Sequence, residues 1–190
     1  MRPTGLPPEM PQLVHYVLRT NQLREMVDWY CTLLGATVAF ETDEIAFITY
    51  DNEHHRIAFA AFETYVPKPQ GVAVGFYHAA FSFGSLRALL DRYTRLKDAQ
   101  ILPWRSINHG PTVSLYYRDP DGNDVEFQVD AFADAEATNA WMRSEEFRRN
   151  PIGIEFEPRD MMAALDRGVP EALLMVRPDS RGAEPRLDVS

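Results

Sequence analysis

Cysteine is almost missing from this chain: among 190 residues only Cys31 carries a thiol. A single thiol excludes an intrachain disulfide framework and a thiolate metal cluster, and within an apolar helical pattern Cys31 reads as a small filler. Long apolar runs are missing too. No stretch approaches the roughly 20 residues that a bilayer-spanning helix needs, and the opening MRPTGLPPEMPQ lacks the basic start and apolar centre of a secretory signal, so a cytoplasmic protein is expected. Positive charge is also short. Lys and Arg number 19 against 28 Asp and Glu, a formal charge of −9, which argues against nucleic acid or an anionic membrane as partner. Histidine is scarce as well: there are five, and two of them, His54 and His55, stand side by side in DNEHHRIAF. What the chain does have is 45% hydrophobic residues, enough for a real core.

The order of elements repeats. LVHYVLR (13–19) has the β-formers of a strand, and the helix after it, capped by Thr20 or Asn21, sets Leu23, Met26, Val27, Tyr30 and Leu34 at helical spacing before Gly35 stops it. ATVAFET, EIAFITYD and HRIAFAAF follow as three strand-like runs. The second copy starts at GFYHAAFSF (75–83), continues with a helix capped by Ser85 over LRALLDRYTRLKDA, and ends in QILPWRS, TVSLYYRD and DVEFQVD. YVPKPQG (65–71), with two prolines and a glycine, suits a linker between the copies. The fold class expected is therefore α+β: paired βαβββ modules, residues 11–66 and 72–131, whose eight strands form one curved, funnel-like sheet. A C-terminal extension, 132–190, carries a helix over DAEATNAWMRSEEFRRN, an extended piece PIGIEFEP, a short helix RDMMAALDRG and a loose polar end RGAEPRLDVS. It reads as a packing or subunit-contact element, and a homodimer is favoured.

Each copy carries a histidine inside its first strand, His15 and His78. In DVEFQVD, Val125, Phe127 and Val129 share one face, which leaves Glu126 on the other, turned into a cavity. Equivalent strands that each present one histidine would converge with Glu126 into two imidazoles and one carboxylate. Such a set fills three positions of an octahedral ion and leaves three open, the arrangement of non-haem Fe(II) centres that activate oxygen; Mn(II) fits the same donors.

LVHYVLRTNQLREMVDWYCTLLG, NEHHRIAFAAF, FYHAAF and SLYYRDPDGNDVEF together resemble the vicinal-oxygen-chelate superfamily of glyoxalases, bleomycin-resistance proteins and extradiol dioxygenases. In detail they resemble its type I extradiol ring-cleavage enzymes, which act on catechols and dihydroxybiphenyl, over about residues 11–131. The resemblance points to the one-domain form, lacking the inactive N-terminal domain of the larger members. It implies that His15, His78 and Glu126 ligate iron, and that His55, the second of its pair, is the acid/base residue beside the metal while His54 faces away. It implies further that Tyr116, ten residues before Glu126, hydrogen-bonds the bound diol, and that His109 in INHGPTVS contacts substrate. The expected reaction is meta-cleavage of a catechol with O2. A distal ring would meet the tail and residues near Phe62, Tyr65 and Trp104.

Rival functions on the same fold are separable by residue type. A four-ligand glyoxalase isomerase is disfavoured because RIAFAAF offers no donor after Arg56. A fosfomycin-type thiol transferase shares the triad but needs cations for a phosphonate, for which Arg19, Arg56 and Arg118 are the candidates. A metal-free antibiotic-binding protein has no use for His15, His55, His78, Tyr116 and Glu126 together.

Overall fold

The computed structural model describes residues 10–66, 68 and 74–178. The expected polar end at 181–190 and most of the linker lie outside them. The contacts divide the chain into two units. The first runs to Phe76 and takes in Asp119–Asn123; the second comprises Tyr77–Arg118 and the chain from Asp124 on.

The first unit holds β1 (Tyr16–Arg19), α1 (Leu23–Leu34), β2 (Thr37–Glu41), β3 (Ile45–Thr49) and β4 (Ile57–Ala60). Its sheet has the order β1-β4-β3-β2, with β1 parallel to β4 and the other pairs antiparallel. The amphipathic period of α1 places Met26, Val27, Tyr30 and Leu33 in the core, Leu33 rather than Leu34 taking the innermost place. Gly35 ends the helix at φ +67°, the left-handed conformation a residue without Cβ adopts at little cost. The start differs from the sequence reading: Gln22 occupies the cap without a side-chain bond, while Thr20 Oγ1 accepts from the Gln22 amide at 3.0 Å, as a Ser/Thr turn does. His15 stands one residue ahead of β1 rather than inside it. Cys31 lies within α1, its thiol pushed up by burial.

The turn DPDGN belongs to this unit although the strands it joins do not. Asp119, buried, accepts from the Asn123 amide at 2.7 Å and from its side chain at 2.8 Å, and Gly122 supplies the positive φ of +76°. Tyr30 Oη reaches Asp119 Oδ2 at 3.1 Å, and the Gln22 amide nitrogen donates to Asp121 Oδ1 at 2.7 Å. Burial raises the pKa of both Asp119 and Tyr30: it keeps the Tyr30 phenol protonated as a donor, while at Asp119 the Asn123 and Tyr30 hydrogen bonds oppose it in favour of the accepting carboxylate.

The second unit holds β5 (His78–Phe83), α2 (Leu86–Asp98), β6 (Arg105–Asn108), β7 (Thr112–Arg118), β8 (Asp124–Asp130), α3 (Ala135–Met142), α4 (Glu145–Arg149), β9 (Ile154–Glu155), α5 (Pro158–Asp166) and α6 (Glu171–Leu174). Its sheet runs β5-β8-β7-β6-β9, so the eight expected strands occur as two sheets, of four and five strands, the ninth supplied by the tail. Ser85 caps α2 as expected, accepting from the Ala88 amide at 3.1 Å. Val113, Leu115, Tyr117, Val125, Phe127 and Val129 are buried, as are Leu86, Leu89, Leu90 and Leu96 of α2.

The tail folds onto this unit. Glu171 of α6 accepts from the Leu86 and Arg87 amides at 2.9 and 3.2 Å, satisfying orphan donors at the start of α2. Arg87 in turn pairs with Asp166 of α5 at 2.7 Å. The single helix expected over 134–150 is two, α3 and α4, because Ser144 turns out of the first and caps the second through the Phe147 amide. Among the described residues no helix is long and apolar enough to cross a membrane.

Candidate active site

The strand register of the second unit decides what Glu126 meets. It lies opposite Tyr116 on β7 and Ala80 on β5, while His78 lies opposite Asp124, two residues earlier on β8 and therefore on the same face. Glu126 is 5% exposed, and both its oxygens have partners: Tyr116 Oη donates to Oε1 at 2.9 Å, and His78 Nε2 stands 3.0 Å from Oε2. His109 follows directly after β6. Its Nε2 is 2.8 Å from Tyr116 Oη and 4.0 Å from Glu126 Oε1, and its Nδ1 contacts the Ile152 carbonyl. The expected His78, His109, Tyr116 and Glu126 are thus one connected polar group.

Its electrostatics follow from burial. Burial, with the Glu126 charge second, raises the Tyr116 pKa, so the phenol keeps its proton and serves as a donor. Burial lowers the pKa of His109 against the opposing pull of the Ile152 carbonyl and Glu126, favouring the neutral ring.

The first unit presents a second cluster. The rings of His15 and His55 have centroids 4.3 Å apart, and His55 also stacks on Phe47 at 4.6 Å. The histidine pair lies in a bend before β4, not in the strand, so strand alternation does not separate its members. His54 does not turn away: its Nδ1 is 2.6 Å from His55 Nδ1, although its ring is exposed. The pKa of His55 is lowered by burial first and then by His15 and His54, so near neutral pH it is a free base able to take a proton.

Arg56 organises this cluster, a role the sequence did not disclose. Its guanidinium grips Asp51 through Nε and Nη2 and donates from Nη1 to the Leu13 and Val14 carbonyls at 3.2 and 3.1 Å, while its own carbonyl accepts from the Tyr16 amide at 3.2 Å. One residue therefore ties down the chain on both sides of His15 and directly follows His55. This arginine, and Arg118, which bonds Asp124 at 2.9 Å and lies over Trp104, are engaged within the fold rather than turned to a phosphonate. Of the residues expected near a distal ring, Phe62 and Tyr65 pack edge to face in the first unit at 5.6 Å, and Trp104 lies 6.4 Å from Tyr116 in the second.

Among the described residues no group of three His, Cys, Asp or Glu is gathered as a metal site. Of the expected ligands, His78 and Glu126 stand together in the second unit and His15 belongs to the first. The separation of the pair fits a metal: donors in adjacent positions on an octahedral ion, each at about 2.1 Å, lie about 3 Å apart, and His78 Nε2 stands 3.0 Å from Glu126 Oε2. The other ring nitrogen, Nδ1, is buried without a hydrogen-bond partner.

Comparison with known proteins bears on most of the chain. Residues 12–127 match the family described as the glyoxalase/bleomycin resistance protein/dioxygenase superfamily. The chain is 45% identical over 168 residues to biphenyl-2,3-diol 1,2-dioxygenase 3 of Rhodococcus globerulus, covering 88% of each chain. It is 44% identical over 160 residues to biphenyl-2,3-diol 1,2-dioxygenase 2 of the same organism, covering 84% of each. In fold it is similar to the crystal structure of a glyoxalase/bleomycin resistance protein/dioxygenase from Nocardioides. That match has a TM-score of 0.52 at 18% identity and covers 66% of this chain and 87% of the other.

Proposed function

We propose, from the premise that this chain belongs to the glyoxalase/bleomycin resistance protein/dioxygenase superfamily, that it is an extradiol dioxygenase opening the ring of a catechol or dihydroxybiphenyl-like diol with O2. The proposed centre is a non-haem Fe(II), with Mn(II) as the alternative ion, held by His15, His78 and Glu126. When bound, the metal acidifies the diol and lets ring electrons reach oxygen. The observation that carries this reading is the buried Glu126 carboxylate, met by an imidazole on one oxygen and a tyrosine hydroxyl on the other.

The chain's own residues then divide the remaining work. Tyr116, held as a neutral phenol, keeps Glu126 oriented by donating to Oε1, as outer partners of metal ligands do, and its oxygen is left to accept from a diol hydroxyl. His55, neutral and half-buried against Phe47, takes a proton from the diol and returns it to the product. Trp104 beside Tyr116, with Phe62 and Tyr65, supplies apolar surface for a second ring.

The test is anaerobic loading with Fe(II) followed by a panel of mono- and bicyclic catechols in air. Oxygen uptake and a yellow, pH-dependent ring-opened product are expected, largest with a biphenyl diol. Absence of both across the panel overturns the reading. His15→Ala is expected to abolish stoichiometric iron binding, and full iron content in that variant removes His15 from the ligand set.

A further inference from the structure

The face of the second sheet that carries Glu126 does not end at Tyr116. Arg105 on β6 lies opposite Tyr116, which lies opposite Glu126, so the three share one face, with the Arg105 backbone two strand spacings, about 10 Å, from that of Glu126. Ile107 follows on the same face by alternation, and opposite it on β9 stands Glu155, a residue of the C-terminal tail. The two charges meet there: Arg105 Nε donates to Glu155 Oε1 at 2.9 Å, with the arginine side chain 34% and the glutamate 69% exposed. Among the described residues no other protein group bonds the Arg105 guanidinium, so its Nη atoms are turned to whatever enters the site.

We propose that Glu155 is a specificity-determining residue: by cancelling the charge of Arg105 at the margin of the active-site face, it reserves the site for diols whose second group is uncharged. The inference deepens the dioxygenase reading and rests on it. A lone arginine in this place would receive a substrate carboxylate through two parallel hydrogen bonds, the strongest pairing a guanidinium makes. With Glu155 present, a carboxylate on the substrate reaches the Nη atoms only by standing beside a second carboxylate, and one cation then serves two anions. An uncharged second ring meets no such conflict, and the apolar stem of Arg105 offers it surface. The ion pair is half-open, so it adds little to folding stability. What it changes is the net charge that an incoming group meets, and the anion that makes the change comes from the tail.

The experiment compares, in iron-loaded full-length protein, a biphenyl diol with a catechol that carries a propanoate where the other carries its phenyl ring. Glu155→Gln removes the charge and keeps the shape. It is expected to raise the ratio of kcat/KM for the propanoate over that for the biphenyl diol about fivefold, the effect of one unit charge 4 Å away in a water-like medium. The double variant Arg105→Gln with Glu155→Gln is expected to show no rise, because the gain needs the cation. An unchanged ratio in Glu155→Gln, or the same rise in the double variant, overturns the proposal. A second readout needs neither iron nor turnover: the Arg105 Nε–H signal of metal-free, nitrogen-15-labelled protein, identified with Arg105→Gln and titrated with benzoate. Half-saturation is expected at about fivefold less benzoate in Glu155→Gln than in the wild type, with benzyl alcohol moving the signal in neither; an equal benzoate response in both overturns the screening role. Failure of oxygen uptake by the wild type with every diol, by contrast, sinks the dioxygenase reading and leaves the benzoate titration to decide whether Glu155 screens Arg105.

Discussion

The two histidine clusters of this protein are built on opposite plans. In the second unit, His78, His109, Tyr116 and Glu126 are joined by direct hydrogen bonds, lie on or beside adjacent strands, and are braced from behind by tail residues. In the first unit, His15, His54 and His55 touch ring to ring on an exposed bend, steadied mainly by Arg56. The difference separates two tasks. A buried, hydrogen-bonded network holds atoms at fixed separations, which suits a metal and the oxygen of a diol; a half-open histidine that is free to exchange protons suits acid/base work.

The comparison breaks most readily at Glu126. Glu126→Ala is expected to lose stoichiometric iron and to drop turnover below detection, read by metal analysis and oxygen uptake. His55→Ala is expected to retain iron while kcat falls about 10²–10⁴-fold; loss of iron there would erase the division of labour. Tyr116→Phe is the next step down. It removes the donor to Glu126 Oε1 and the partner of His109 Nε2, so kcat is expected to fall about 10–100-fold, and chemical denaturation should show a loss of about 1–3 kcal/mol from the unsatisfied groups.

The pH profile sharpens the contrast without a mutation. In the proposed reaction His55 works as the free base, and burial with its neighbours His15 and His54 disfavours the charged form. Activity should therefore persist as pH falls past the ordinary imidazole value of about 6.5 and be lost below it, and an acidic limb centred above that value would contradict the assignment. The smallest effect expected is on stability alone: Gly153→Ala puts a Cβ 2.3 Å from the Asn108 carbonyl at φ +109°. A cost of about 1–3 kcal/mol in thermal unfolding is anticipated.

Alternation made Glu126 legible in advance: it could be assigned to a polar face because Val125, Phe127 and Val129 claim the other. The roles of Tyr116 and His109 came from the family resemblance instead. The direction of His54 was misjudged because alternation holds only inside a strand, and a bend holds the histidine pair. The cap of α1 was misplaced: Thr20 has the right chemistry but spends its hydroxyl on a turn two residues ahead of the helix, where Gln22 holds the cap position. The tail's extended piece and its helix over α5 were legible, but its contact with His109 was not. That contact is a backbone carbonyl, which every residue type carries, and Arg177 bonds carbonyls 27 to 68 residues away in the chain.

The turn at Asp119–Asn123 has a consequence for engineering. This loop, encoded beyond the linker, completes the buried hydroxyl–carboxylate contact of the first unit. A fragment cut at the linker would keep the Tyr30 hydroxyl and be left without the acid that accepts from it.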